Sequence, residues 1–208
     1  MYLFEDQAKM FTFLKDRLES GNLNQAQIAL EYAIEKHKNQ TRKDGKAYII
    51  HPLTMACNSF AMGMQEEDLI STILLHDVCE DCGVSAEDLP VNEKVKRSVR
   101  LLTFEKGDDE SYGEAKHRYF TNIAVDEKAT IVKLMDRCHN ISTMSQAFTV
   151  KKMKSYIAET REYVLGYLYR EAKARYPQYD NQLFLIKYHL GSVVDSVENV
   201  VSLCSTNR

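Results

Sequence analysis

With 208 residues, 44% of them hydrophobic and 27% charged, the chain has the composition of a soluble globular protein and can bury roughly 70% of the surface its unfolded form exposes. A formal net charge of −3 gives no electrostatic footprint for nucleic acid or an anionic membrane, so a small molecule or another protein is the expected partner. Five cysteines, an odd number, follow a start, MYLFEDQAKM, with neither a basic region nor a continuous apolar run, and no stretch approaches the roughly 20 apolar residues that span a bilayer; the expectation is a reducing cytoplasm and no membrane segment.

Only 3 prolines and 8 glycines interrupt a pattern in which apolar residues recur at spacings of three and four, which predicts an all-α protein without strands. Leu23, Ala26, Leu30, Ala33 and His37 step down one face of a first helix. The polar loop KNQTRKDGKAY then leads to His51 and Pro52, which fit the start of the next helix. A third covers Asp68 to Val78; Gly83 and Ser85 read as a stop and a fresh N-cap, and Val95, Val99 and Leu102 continue the series. EKGDDES, 105 to 111, is expected to be an exposed mobile loop. Further helices are expected from Tyr112 to Ala124, Glu127 to Gln146, Val150 to Tyr176 and Asn181 to Leu203. Repeats and low-complexity segments are not evident, and a single domain over 1–208 is expected. Leu183, Ile186 and Leu190 would pack on the core or on a second copy in a homo-oligomer.

The run STILLHDVCED, Ser71 to Asp81, sets His76, Asp77, Glu80 and Asp81 at the end of an apolar helix, where an uncompensated carboxylate is costly. His76 and Asp77 point about 100° apart on a helix and converge on one ion only near a helix end. An imidazole and carboxylate mixture suits Mn²⁺, Fe²⁺ or Zn²⁺, with His51 and Asp136 as further candidate ligands. Each signal has a plainer counterpart. The His-Asp pair can be solvated or salt-bridged, Asp136 can pair with Arg137 or Lys133 on a helix surface, and His51 can be a helix-boundary residue.

Lys36, Lys38, Arg42, Lys43 and Lys46 form a cationic run before His51, either a solvated face or a phosphate-binding one. Cys79 and Cys82 have a two-cysteine spacing, but there is no second pair and no βαβ pattern, so free thiols packed beside the site are the expectation. No phosphate-binding glycine loop of the Walker or dinucleotide type is present.

Together, KHKNQTRKDGKAYIIHP (36–52), ILLHDVCED (73–81), KLMDRCHNIST (133–143) and IAETREYV (157–164) resemble, in order, the four blocks of the hydrolase domain of the Rel/Spo alarmone family, a branch of the HD-domain metal-dependent phosphohydrolases. The resemblance organises residues 25 to 165, with C-terminal helices over 166–208, and implies an all-α HD-domain bundle. It implies that His51, His76, Asp77 and Asp136 bind one divalent metal, Mn²⁺ in most of the family, and that Glu80 and Asp81 orient and deprotonate the attacking water. It further implies that Arg42 and Lys43 face the base and phosphates and that Asn140 contacts the ribose and 3′-phosphate, with Tyr48, His37 and Thr143 as pocket residues. The implied reaction converts ppGpp or pppGpp to GDP or GTP and pyrophosphate. The alternatives are an HD phosphohydrolase acting on an adenosine alarmone, a nucleoside phosphate or the 2′-phosphate of NADPH, and a nucleotide sensor without turnover. The chain departs from the family pattern at Asn39, Cys82 and Ser142, of which Asn39 and Ser142 bear on how the nucleotide is held.

Overall fold

In the computed structural model the described residues are 6–43 and 45–206, with side chains described as far as 202; Asp44 of the predicted loop and the first five residues of the predicted start lie outside them. The regular elements among the described residues are all helical, joined by turns and loops, with one isolated antiparallel bridge between Thr41 and Ala47. The all-α expectation holds. None of the helices is long and apolar enough to cross a membrane, within the described residues. The chain divides into two compact units, residues 1–110 and 111–208, and the division falls in the predicted loop, whose residues 105–109 are exposed.

The first unit opens with a helix that the sequence reading did not single out. This is α1 (Gln7–Ser20), whose N-terminal N–H groups on Ala8 and Lys9 are capped by the Asp6 carboxylate at 3.0 and 3.2 Å, and which buries Met10, Leu14 and Leu18. α2 (Asn24–His37) presents Ala26, Ala29, Leu30, Ala33 and His37 inward; three alanines let the neighbouring α4 pack closely. α3 (Ile50–Ala61) and α4 (Glu67–Leu75) are buried nearly all round, with every residue from Leu69 to Leu75 out of solvent, as befits core helices.

The predicted helix from Asp68 to Val78 is interrupted. α4 ends at Leu75, Asp77 adopts φ −101° and ψ −6°, off the helical minimum, and a separate five-residue α5 (Val78–Cys82) follows before Gly83 turns left-handed at φ 65°. A 3₁₀ turn, Ala86–Asp88, begins at Ser85, whose hydroxyl accepts from the Glu87 N–H at 3.4 Å. It leads to α6 (Glu93–Leu102), capped by Asn92 and burying Val95, Val99 and Leu102. One polar knot aligns three helix starts: Gln25 Nε2 and Asn92 Nδ2 both donate to Asp68 Oδ1, at 3.0 and 2.8 Å.

In the second unit α7 (Tyr112–Ala124) starts in a reciprocal capping box between Ser111 and Glu114, and α8 (Glu127–Thr143) starts at Asp126, whose Oδ1 accepts from the Ala129 N–H at 3.0 Å. α8 gives way to a 3₁₀ turn at Met144–Gln146, the last residues of the predicted helix. The predicted helix from Val150 to Tyr176 is continuous but not uniform. α9 (Val150–Glu159) passes into a π-helical stretch, Thr160–Leu168, and then α10 (Tyr169–Arg175). Within that stretch a Cβ on Gly166 would sit 2.8 Å from the Arg161 carbonyl oxygen, so the backbone tolerates only glycine there without shifting. Pro177 opens a short 3₁₀ turn, and α11 (Asp180–Thr206) follows, burying Leu183, Ile186, Leu190 and Val194 in this unit.

Candidate metal centre

The break between α4 and α5 is what lets adjacent residues converge. His76 caps the C-terminus of α4 and Asp77 turns the chain, so their side chains reach the same point as His51 from the first turn of α3. Nε2 of His51 and Nε2 of His76 lie 3.1 Å apart, and Asp77 Oδ2 lies 3.5 Å from the first and 3.0 Å from the second. Both imidazoles are fully buried and Asp77 is half-buried. His76 Nδ1 faces the Ile73 carbonyl at 2.8 Å; a carbonyl only accepts, so the hydrogen sits on Nδ1 and the Nε2 lone pair faces the cluster. Two nitrogens and a carboxylate oxygen, each within 4.8 Å of the others, form the one group of potential metal-ligating side chains found among the described residues. Such a donor set, with one imidazole oriented by a backbone carbonyl, fits a divalent ion.

Tyr48 closes one side. Its hydroxyl donates to Asp77 Oδ2 at 2.6 Å and its ring stacks on His37 at 4.8 Å between centroids. Burial, then the charge of Asp77 and the hydrogen bond to it, push the phenol far above its ordinary value, so it stays a donor. Arg42 lies 6.0 Å above the same ring, half-buried, while Lys43 is exposed. Glu80 and Asp81 lie on α5, directly after the cluster, and both are exposed; Glu80 Oε2 accepts the Phe104 N–H at 3.2 Å. The structure therefore brings together His51, His76, Asp77 and Tyr48, with Glu80, Asp81 and Arg42 next to them.

Asp136, Asn140 and Thr143 belong to α8 in the second unit. Asp136 is buried, pairs with Lys133 Nζ at 2.9 Å and accepts from the Asn140 amide. The Lys133 half of the plainer reading is thus present, but in a buried setting: burial by itself would lower the lysine, and Asp136, followed by Tyr119, outweighs it and holds the ammonium well above its ordinary value. Arg137 turns elsewhere, pairing with Glu159 at 2.5 Å and donating to Thr160 Oγ1 at 3.2 Å. Thr143 Oγ1 donates to the His139 carbonyl at 3.0 Å.

Cys79 and Cys82 are free thiols; burial, then Cys82, raises Cys79 to about 11, and burial raises Cys82 as well. Neither is poised as a thiolate at neutral pH. One residue in the neighbourhood was given no role from sequence: Gln40, which bridges His37 and Asp81. Its place in the first family block was the signal available.

A helical frame that brings two buried histidines and an aspartate to the ends of its helices defines a helical protein with a candidate divalent-metal centre. The chain belongs to the HD-domain family, whose HD domain model matches residues 29–162. It is 34% identical over 165 residues to the guanosine-3′,5′-bis(diphosphate) 3′-pyrophosphohydrolase of Aquifex aeolicus, covering 77% of this chain and 23% of that protein. To the bifunctional (p)ppGpp synthase/hydrolase SpoT of Escherichia coli it is 30% identical over 151 residues, covering 69% of this chain and 21% of that protein. The chain thus spans less than a quarter of the length of these two curated relatives. A solved structure, described as a metazoan ortholog of SpoT that hydrolyses ppGpp and plays a role in starvation responses, shares the fold at a TM-score of 0.65 and 21% identity, covering 83% of this chain and 94% of that one.

Proposed function

We propose that this chain is a cytoplasmic, metal-dependent phosphohydrolase that removes the 3′-pyrophosphate of guanosine alarmones, (p)ppGpp to GDP or GTP plus pyrophosphate. The observation that carries the reading is the buried pair of imidazole nitrogens 3.1 Å apart with the Asp77 carboxylate beside them, directly before a helix that carries Glu80 and Asp81. The hydrolase relatives support the choice of substrate.

His51, His76 and Asp77 would hold one divalent ion, proposed to be Mn²⁺ with Fe²⁺ or Zn²⁺ as the alternatives, and Asp136 is proposed as a fourth ligand on the strength of the sequence resemblance. When bound, such an ion polarises a phosphoryl oxygen and lowers the pKa of water toward neutrality. Tyr48 holds Asp77 in its ligating orientation. Glu80 and Asp81 orient a water and take its proton as its oxygen bonds to phosphorus; the bond from phosphorus to the ribose 3′-oxygen breaks, and that oxygen leaves protonated. Arg42 and Lys43 bind phosphate charge, Arg42 being able to do so bidentately, and Asn140 and Thr143 are assigned to the ribose and 3′-phosphate.

The test is a chromatographic product assay with Mn²⁺ against ppGpp, pppGpp, ppApp, NADPH and GTP. GDP and pyrophosphate from ppGpp, absent with Asp77→Ala, are expected. Orthophosphate from NADPH alone would move the reading to another nucleotide, and silence across the panel would favour a substrate outside it or a sensor. Asp77→Ala is expected to lose both metal and turnover while staying folded, whereas Glu80→Gln should keep the metal and lose turnover. Near-normal rates in Glu80→Gln would remove its assigned role.

A further inference from the structure

One side chain of the loop between α2 and α3, Gln40, reaches the backbone of α5. Gln40 Nε2 lies 2.9 Å from the main-chain carbonyl oxygen of Asp81, and Gln40 Oε1 lies 2.7 Å from His37 Nδ1. The Asp81 carbonyl only accepts, so the amide nitrogen must face it; Oε1 then faces His37, which must carry its hydrogen on Nδ1. Gln40 is held at its backbone too, its N–H donating to the His37 carbonyl at 3.0 Å and its own carbonyl accepting the Tyr48 N–H at 2.9 Å.

Two paths leave this residue. One runs from Gln40 to His37, from His37 by ring stacking to Tyr48, and from the Tyr48 hydroxyl to Asp77. The other runs directly to the backbone of α5, which carries Glu80 and Asp81. A helix of five residues has no stability of its own, because the cost of nucleating it is not recovered over so few bonds. Its orientation is set by its ties to other segments, of which the Gln40 bond is one and the Phe104 N–H to Glu80 carboxylate bond at 3.2 Å another. The joint needs a donor and an acceptor on one planar group, at the reach of a four-atom side chain.

We propose that Gln40 is a positioning residue: its amide fixes α5, and with it the Glu80 and Asp81 carboxylates, against the Tyr48 and Asp77 side of the metal cluster. The inference rests on the phosphohydrolase reading for its effect on rate, but not for its effect on α5. None of the Gln40 bonds described goes to His51, His76 or Asp77, so metal capture and turnover separate in its variants.

Gln40→Glu keeps the side-chain length and the acceptor for His37 but sets a carboxylate oxygen against the Asp81 carbonyl; Gln40→Leu removes both bonds. In Mn²⁺-loaded protein both variants are expected to keep wild-type metal stoichiometry and KM within about twofold, while kcat falls about 10- to 100-fold. Amide hydrogen exchange over residues 78–82 is expected to speed up in both, with the thermal midpoint of Gln40→Glu close to that of wild type. Unchanged kcat and unchanged exchange in Gln40→Glu would overturn the proposal, and so would a loss of metal and a rise in KM together. If the wild-type protein turns over no substrate in the panel, the hydrolase reading fails and exchange alone decides: acceleration confined to 78–82 sustains the positioning role and its absence refutes it.

Discussion

Tyr48 has more leverage on the ligand cluster than its place among the pocket residues suggested, because its hydroxyl donates to the same Asp77 oxygen that faces both imidazoles. Tyr48→Phe removes that donor and keeps the ring that stacks on His37. The expected result is metal affinity weakened about 10- to 100-fold with little change in fold stability, read by metal titration and thermal melting. Unchanged affinity would show that Asp77 is oriented without it. His76 and Asp77 were legible in the sequence because ionisable groups at the end of an apolar run demand compensation, and His51 because it stands between the polar loop and a helix-starting proline. The role of Tyr48 as the donor to Asp77 was not, since the contact joins residues 29 apart in sequence. Gln40 was harder still: one of its bonds goes to a backbone carbonyl, which has no signature in side-chain identity.

At the scale of elements, the caps were readable and the irregularities were not. Asp6, Ser111 and Asp126 cap helices by side-chain chemistry that is written locally, although α1 itself is not among the expected helices. The end of α4 at Leu75 has no breaker residue to announce it; it follows from backbone geometry at Asp77. The end of α5 does have one, and Gly83→Ala, at φ 65°, is expected to cost about 1 kcal/mol in a denaturant titration. In the second unit a buried network joins Arg137 to Glu159, with Lys116 3.3 Å from the same carboxylate. Burial alone would raise Glu159, but Arg137 and then Lys116 outweigh it and hold the carboxyl below its ordinary 4.5. A carboxyl depressed in the folded state contributes stability above its unfolded value and loses it as pH falls through the folded one. Glu159→Ala, which strands Arg137, is therefore expected to cost about 3–5 kcal/mol at neutral pH, and Glu159→Gln should flatten the acid limb of the stability profile measured from pH 6 downward, roughly across the carboxylate range. A Gln variant as acid-sensitive as wild type would place the titration elsewhere.

For the molecule as a whole, the scarcity of proline and glycine and the three-and-four apolar spacing carried the fold class and the order of the helices, but the division at Glu110 and Ser111 was visible only as an exposed loop. Exposed residues 105–109 predict where a protease cuts first. Limited trypsin digestion should nick at Lys106 before any site within the helices, and a first cut in α8 would contradict that order. The π-helical stretch between α9 and α10 has a consequence for the length of the chain itself. A π-helical turn holds one residue more than an α-helical one, so a residue removed between Thr160 and Leu168 lets the stretch revert to α-helix with Leu168 and Ala172 still in the interior that they now fill. In alignments of close relatives a gap of one residue should therefore fall in this stretch more readily than in α9 or α10.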